Sequence, residues 1–320
     1  MLFGLIESKK KFEIQESLLY TTLNSNINFE KLSDLEEFNT KFFRLYAIDI
    51  LRPALNAILT KVKNNEAKFS ISVMRSWDRV AGHCVTATTA EKEQNSIFLK
   101  KNYTISIKSI EPSIIMHEIG HAIEHIAGLN LERDFKKILT SDIEANKTNN
   151  IQISSAIKTI LHDELKNYEL ESITAELFAR TYELIALSVE VDGFKNFQYN
   201  YKAISSYFGN ILNFFNKFLN PILEKKIDKN ILKSSNEYCK HLQKYEKKWS
   251  SKSKYSKFTN GKKWTDNIAS KNSMEDKEVA EIIGSFEQWQ KGKTVHKLDD
   301  GTEYFLFNDS NNGNNTKLLN

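Results

Sequence analysis

Only two cysteines, Cys84 and Cys239, occur in 320 residues, so no disulfide framework holds this chain together and a reducing compartment is the default expectation. Neither thiol has a neighbour at metal-ligand spacing. Three prolines and 11 glycines are too few for a loop-rich or fibrous chain, and with Leu, Ile, Lys, Glu and Asn abundant they point to a mostly helical protein. Apolar runs fall far short of the roughly 20 residues that span a bilayer, so no membrane span is expected. An excess of one charge is lacking as well: 45 Lys+Arg against 41 Asp+Glu leave +4, too little to imply a nucleic-acid partner by itself. The N-terminus has a short apolar start followed by Lys9-Lys10-Lys11, the reverse of a signal peptide's order. A cytoplasmic location is therefore expected, with delivery to another cell by a non-Sec route still compatible.

What is present begins with hydrophobic content. At 40% it suffices for one large or two modest domains with real cores. Five stretches can be distinguished: a helical N-terminal segment over 1–65, a mixed core over 66–192, a helical lysine-rich region over 193–290, a β-hairpin over 291–308 and a disordered tail over 309–320. In the first, Ser33 and Glu36 read as a capping box, and Phe38, Phe42, Leu45, Ile48, Leu55 and Leu59 recur at helical spacing. Pro53 should kink or split that helix. Between Lys68 and Lys108 the period becomes alternating, with strands expected at 69–73, 84–88, 96–99 and 103–107. No other sheet is expected before the C-terminus. The fold class is α+β.

Directly after these strands comes Met116-His117-Glu118-Ile119-Gly120-His121-Ala122-Ile123-Glu124-His125. On a helix the four-residue spacing puts the imidazoles of His117 and His121 on one face, about one turn apart, where they can share one Zn²⁺. Glu118 is then placed to act on a water beside the metal. The bland alternative is an amphipathic helix whose histidines lie on its polar side. Context opposes it: Ile114, Ile115, Ile119, Ala122, Ile123 and Ile126 make a buried stripe, Pro112-Ser113 suits a helix start, and Gly128 suits a stop. His125 continues the spacing, but three histidines along one straight helix cannot easily surround one ion, so an exposed or supporting place is expected for it. Glu124 is a candidate acceptor for a ligand imidazole's second N–H.

Two histidines do not complete a catalytic metal site, which needs a third protein ligand and an open position. The helical segment Tyr168 to Glu183 offers Glu169, Glu171, Glu176 and Glu183, and spacing alone does not choose among them. His117-Glu118-Ile119-Gly120-His121-Ala122-Ile123-Glu124, then Ala127-Gly128, a helical spacer and Glu176-Leu177-Phe178-Ala179 together resemble the catalytic domain of anthrax lethal factor and related gluzincins. A similar Glu-x-Phe-Ala-Arg element occurs in the large polyvalent protein-associated domains of phages and conjugative elements. The resemblance runs from near Cys84 to about Ser188 and is specific at its two motifs.

That resemblance implies a zincin-like core and zinc-dependent peptide hydrolysis. It makes Glu176 the third zinc ligand, because the family's ligand is the glutamate before the x-Phe-Ala triplet. It also implies a catalytic tyrosine shortly before that glutamate, for which Tyr168 is nearest although one residue farther away than in the family. Tyr182 and Tyr103 are substitutes. The expected site is thus His117, His121 and Glu176 on zinc, Glu118 as general base and Tyr168 at the oxyanion, acting on a protein or peptide substrate. Phage-repressor-cleaving peptidases share the His-Glu-x-x-His helix but place their third ligand at a shorter interval than His121 to Glu176.

A different class of function is carried by residues 225–263, where lysines outnumber acids and Tyr238, Tyr245, Trp249, Tyr255 and Phe258 are interleaved. Such a pattern serves nucleic acid or an acidic protein, and would suit a zincin-fold interaction module of a mobile element. A solvated lysine-rich helix with an aromatic packing face is the favoured reading. Val295 to Leu298 and Thr302 to Phe307 read as a hairpin turning at Asp300-Gly301.

Overall fold

One proline divides the long apolar-periodic stretch near the N-terminus. The computed structural model describes residues 18–72, 80–93, 96–146, 170–192, 208–250, 293–297, 303–307 and 316–318. Helix α1 (Leu18–Asn24) leads through a short strand β1 (Ile27–Phe29) to helix α2 (Leu32–Arg44). Two 3-10 turns, Leu45–Ala47 and Asp49–Leu51, then separate α2 from α3 (Arg52–Lys63). Pro53 sits in the first turn of α3, where its missing N–H has no intrahelical acceptor to forgo. The capping box expected at Ser33 and Glu36 does not form. Helix α2 starts one residue earlier, Lys31 is its extended N-cap without a side-chain bond, and the Ser33 hydroxyl donates to Asp34 Oδ1 at 3.2 Å.

Four strands form a small mixed sheet in the order β1-β2-β4-β3. Strands β2 (Ala67–Ile71) and β4 (Ser96–Ile107) run parallel to each other, and β1 runs parallel to β2. Strand β3 (Gly82–Glu93) is antiparallel to β4 and lies at the sheet edge. Alternation buries Ala67, Phe69 and Ile71 with Tyr103, Ile105 and Ile107, as a one-sided sheet requires. The stretches 96–99 and 103–107, expected as two strands, are one. Lys100, Lys101 and Asn102 between them interrupt the hydrophobic pattern but continue the ladder, opposite Thr89, Thr88 and Ala87. Strand β1 corrects the expectation of no other sheet before the C-terminus, and three residues at an edge carry too little pattern to announce themselves.

Helix α4 (Pro112–Ala127) has Pro112 in its first turn and ends at Gly128, whose φ of 73° gives a left-handed cap. The Lys226 amine donates to the carbonyl of Ile126 at 2.6 Å, answering an orphan acceptor at that helix end. Short helices α5 (Leu131–Asp134) and α6 (Lys136–Asn146) follow, then the long α7 (Leu170–Asp192). Helix α8 (Gly209–Phe214) is capped by Asp142, which accepts from the amides of Asn210 at 3.1 Å and Ile211 at 2.8 Å. It runs through a π-helical turn (Phe215–Leu219) into α9 (Asn220–Glu224).

The lysine-rich segment contributes α10 (Lys229–Ser250). Tyr46 donates to Asn56 Oδ1 at 2.9 Å, and Asn56 Nδ2 donates to Ser235 Oγ at 3.0 Å, so a buried polar chain ties α10 to the N-terminal helices. Tyr238 packs edge-on against Phe43 and Tyr46, with ring centroids 5.6 and 5.7 Å away. Tyr255 and Phe258 lie outside the described residues. A separate antiparallel sheet contains the hairpin strands β5 (Lys293–Lys297) and β6 (Glu303–Phe307). Strand β7 (Thr316–Leu318) pairs with β6 in a stretch expected to be disordered. The molecule is α+β and mostly helical, and among the described residues no helix is long and apolar enough to cross a membrane.

Candidate metal centre

Helices α4 and α7 come together because one residue in α4 has no side chain. A Cβ at Gly120 would lie 3.0 Å from Ala179 Cα and 3.2 Å from Tyr182 Cδ2, so the backbones approach at the point midway between the two histidines' turns. Glu176 stands three residues before Ala179, on the same side of α7. Thr174, one turn-edge away, donates to Glu132 of α5 and further fixes that end of α7. The crossing aims one carboxylate at both imidazoles. His117 Nε2 lies 3.5 Å from Glu176 Oε2, and His121 Nε2 lies 3.5 Å from Glu176 Oε1.

These separations are long for N–H···O bonds, whose usual distance is about 2.9–3.0 Å. Each is close to the separation of two ligand atoms about 2.0–2.2 Å from a shared centre, roughly 3.3–3.6 Å, although the two involve different oxygens of the one carboxylate. Among the described residues, His117, His121 and Glu176 form a group whose donor atoms all lie within 4.8 Å of one another and which could hold a metal ion. Two imidazole nitrogens and one carboxylate fit a borderline-soft divalent cation, and among the described residues they leave a fourth tetrahedral position without a protein ligand.

Glu183, considered from sequence as a rival third ligand, acts on the other side of His117. Its Oε2 lies 3.1 Å from His117 Nδ1 and accepts a 2.6 Å bond from Arg180 Nη1. A carboxylate at Nδ1 favours a proton there, so that once the ring is neutral Nε2 keeps its lone pair towards the group. The side chains of His117 and Glu183 are each 12% exposed, so water screens this pair little. Burial pulls the His117 pKa down, but the bonds to Glu176 and Glu183 outweigh it and hold it at about 9. Burial pushes Glu176 up, but His117 and His121 outweigh it and hold its carboxyl at about 2. Burial pushes Glu183 up, while His117 and Arg180 bring it below the usual carboxylate range.

Glu118 is 5% exposed and lies beside the edge strand. A Cβ on Gly82, the first residue of β3, would be 2.7 Å from Glu118 Oε1 and 2.9 Å from its Cγ. Burial raises the Glu118 pKa, opposed by the two histidines. Cys84, on the same side of β3, is pushed up to about 12 by burial and by the neighbouring Glu118 charge. It behaves as an inert thiol.

The other candidates are placed differently. Tyr182 is fully buried, with its ring 5.4 Å from Phe178 and 4.7 Å from Phe215, and Tyr103 is 2% exposed on the covered side of the sheet. Both are core residues. Tyr168 and Glu169 lie outside the described residues. His125 is exposed, and Glu124 interacts electrostatically with His121 and Lys101, while the bond to a ligand imidazole's second nitrogen comes from Glu183. The pair Arg180 and Glu183 was missed in that role. The signal was present, since Glu183 follows Glu176 by two helical turns and so shares its face.

Comparison with known proteins finds no match: no family profile, no curated protein and no solved structure matches this chain.

Proposed function

We propose that the protein is a zinc-dependent endopeptidase of gluzincin type, built on a zincin-like arrangement of sheet edge, His-Glu-x-x-His helix and glutamate helix. The observation that carries this reading is the pair of 3.5 Å separations between Glu176 and the two histidines, with Glu118 held on the same helix beside an edge strand. His117, His121 and Glu176 hold the metal, and Glu183 fixes the His117 ring. Zinc bound there supplies a Lewis acid that polarises the scissile carbonyl and acidifies a water. Glu118 takes the proton from the attacking water and returns it to the leaving amine. Strand β3 offers open backbone groups to an extended peptide substrate. Tyr168 is the proposed donor to the oxyanion, on the family resemblance alone.

A purely structural metal site has no use for a buried carboxylate between its two histidines in sequence, and Glu118 therefore favours catalysis. The test is metal analysis of the purified native protein with two variants. Near-stoichiometric zinc is expected. Glu118→Gln should keep zinc and thermal midpoint while turnover of a peptide library falls by roughly 10²–10⁴. Glu176→Gln should weaken or lose the metal, since a neutral amide is a poor zinc ligand. A native protein without zinc, or a fully active Glu118→Gln variant, would refute the reading.

A further inference from the structure

Gly82 opens strand β3, a place where glycine weakens a strand and where φ does not demand it, since the left-handed glycine among the described residues is Gly128. What demands it is space. A Cβ there would sit 2.7 Å from Glu118 Oε1, 2.9 Å from Glu118 Cγ and 3.0 Å from the Ser106 carbonyl, against an ordinary contact of 3.4–4 Å. The strand cannot easily retreat. Gly82 is paired with Ile107 of β4, and the preceding Ala81 carbonyl accepts from Lys108 at 2.8 Å and Ser109 at 3.0 Å. Of the crowded atoms, the Glu118 carboxylate is the one on a flexible arm.

We infer that Gly82 is a positioning residue: its bare backbone is the floor against which the Glu118 carboxylate rests, and any side chain there displaces the base. This rests on the peptidase reading above. A methyl group at 82 drives Glu118 Oε1 away by at least the shortfall from 2.7 to 3.4 Å. A displacement of that order at a reacting group costs up to about a hundredfold in rate. The three atoms nearest the added methyl belong to Glu118 and Ser106 and none to a proposed metal ligand, so zinc binding is spared.

Two measurements test this on the full chain. The first uses metal-free protein and needs no activity: Gly82→Ala should lower the thermal midpoint, and the same substitution in a Glu118→Ala background should lower it clearly less, because the two nearest obstructing atoms are gone and only the Ser106 carbonyl remains. If Gly82→Ala alone does not fold, recovery of folding in the double variant is the expected result. The second uses zinc-loaded protein and acetohydroxamate, a small zinc chelator whose acidic proton is taken up by a neighbouring carboxylate. Gly82→Ala should retain full zinc yet bind acetohydroxamate at least about tenfold more weakly, with no further loss when added to Glu118→Gln. Equal midpoint losses in both backgrounds would overturn the contact. An unchanged acetohydroxamate affinity would overturn the positioning role while leaving the peptidase reading intact. Absence of zinc from the wild-type protein would overturn both.

Discussion

Replacing Glu183 by glutamine tests the site without touching any metal-facing donor. The amide oxygen still accepts from His117 Nδ1, 3.1 Å away, and from Arg180, held at 2.6 Å, but the negative charge that both face is lost. Removing such an outer carboxylate weakens a metal about 10–100-fold, or about 1.4–2.7 kcal/mol. One effect opposes this. In the metal-free protein Glu183 helps hold the His117 pKa at about 9, so near neutral pH zinc must displace a proton that the glutamine variant binds less well. The loss should therefore be partly masked at pH 7 and approach its full size at about pH 9.5, where His117 is already neutral. Competition with a chromophoric chelator at both pH values measures it. Equal zinc affinities for the wild-type and Glu183→Gln proteins at pH 9.5, with Glu124→Gln weakened instead, would refute the assignment.

Three further outcomes follow from the geometry. Gly120→Ala forces a methyl to within 3.0 Å of Ala179 Cα, and should lower stability by about 1–3 kcal/mol and weaken zinc together, read by denaturant titration with and without metal. For metal-free protein, the raised His117 pKa contributes stability that is fully present below 6.5 and lost as pH rises through about 9. The depressed Glu176 contributes stability present above 4.5 and lost as pH falls towards about 2. Thermal midpoints should therefore be highest between those limits, and zinc should remove the alkaline limb. Asn56→Ala leaves the Tyr46 hydroxyl and Ser235 without their buried partner, so chemical unfolding should show a loss of about 2–4 kcal/mol.

The histidine pair of α4 was legible because it is local: the His117 and His121 spacing, Pro112 and Gly128 all act within one helix. The partner helix was not, since nothing short-range distinguishes Glu176 from Glu183, and family resemblance rather than spacing separated them. What distinguishes them is which carboxylate meets Nε2 and which meets Nδ1 of one ring, a matter of helix crossing. Glu124 was a candidate for the supporting acceptor, a place that Glu183 takes at His117. Ser33 failed as a cap because α2 begins at Leu32 with Lys31 as its N-cap, which places Ser33 inside the first turn, and β1 escaped notice because its order comes from pairing with β2, not from its own three residues.

The hydrogen bond between Asn56 and Ser235 joins residues 179 apart in sequence. During synthesis the N-terminal helices leave the ribosome long before the strand of chain that completes them. Until Ser235 arrives, Asn56 has a buried donor with no acceptor, and until Lys226 arrives the carboxyl end of the histidine helix lacks its cation. Contacts of such long sequence separation form late, because the loop between them must close first. The nascent chain is thus expected to hold its histidines on a helix that is not yet clamped, and to gain a rigid site only when nearly three-quarters of its length has been made.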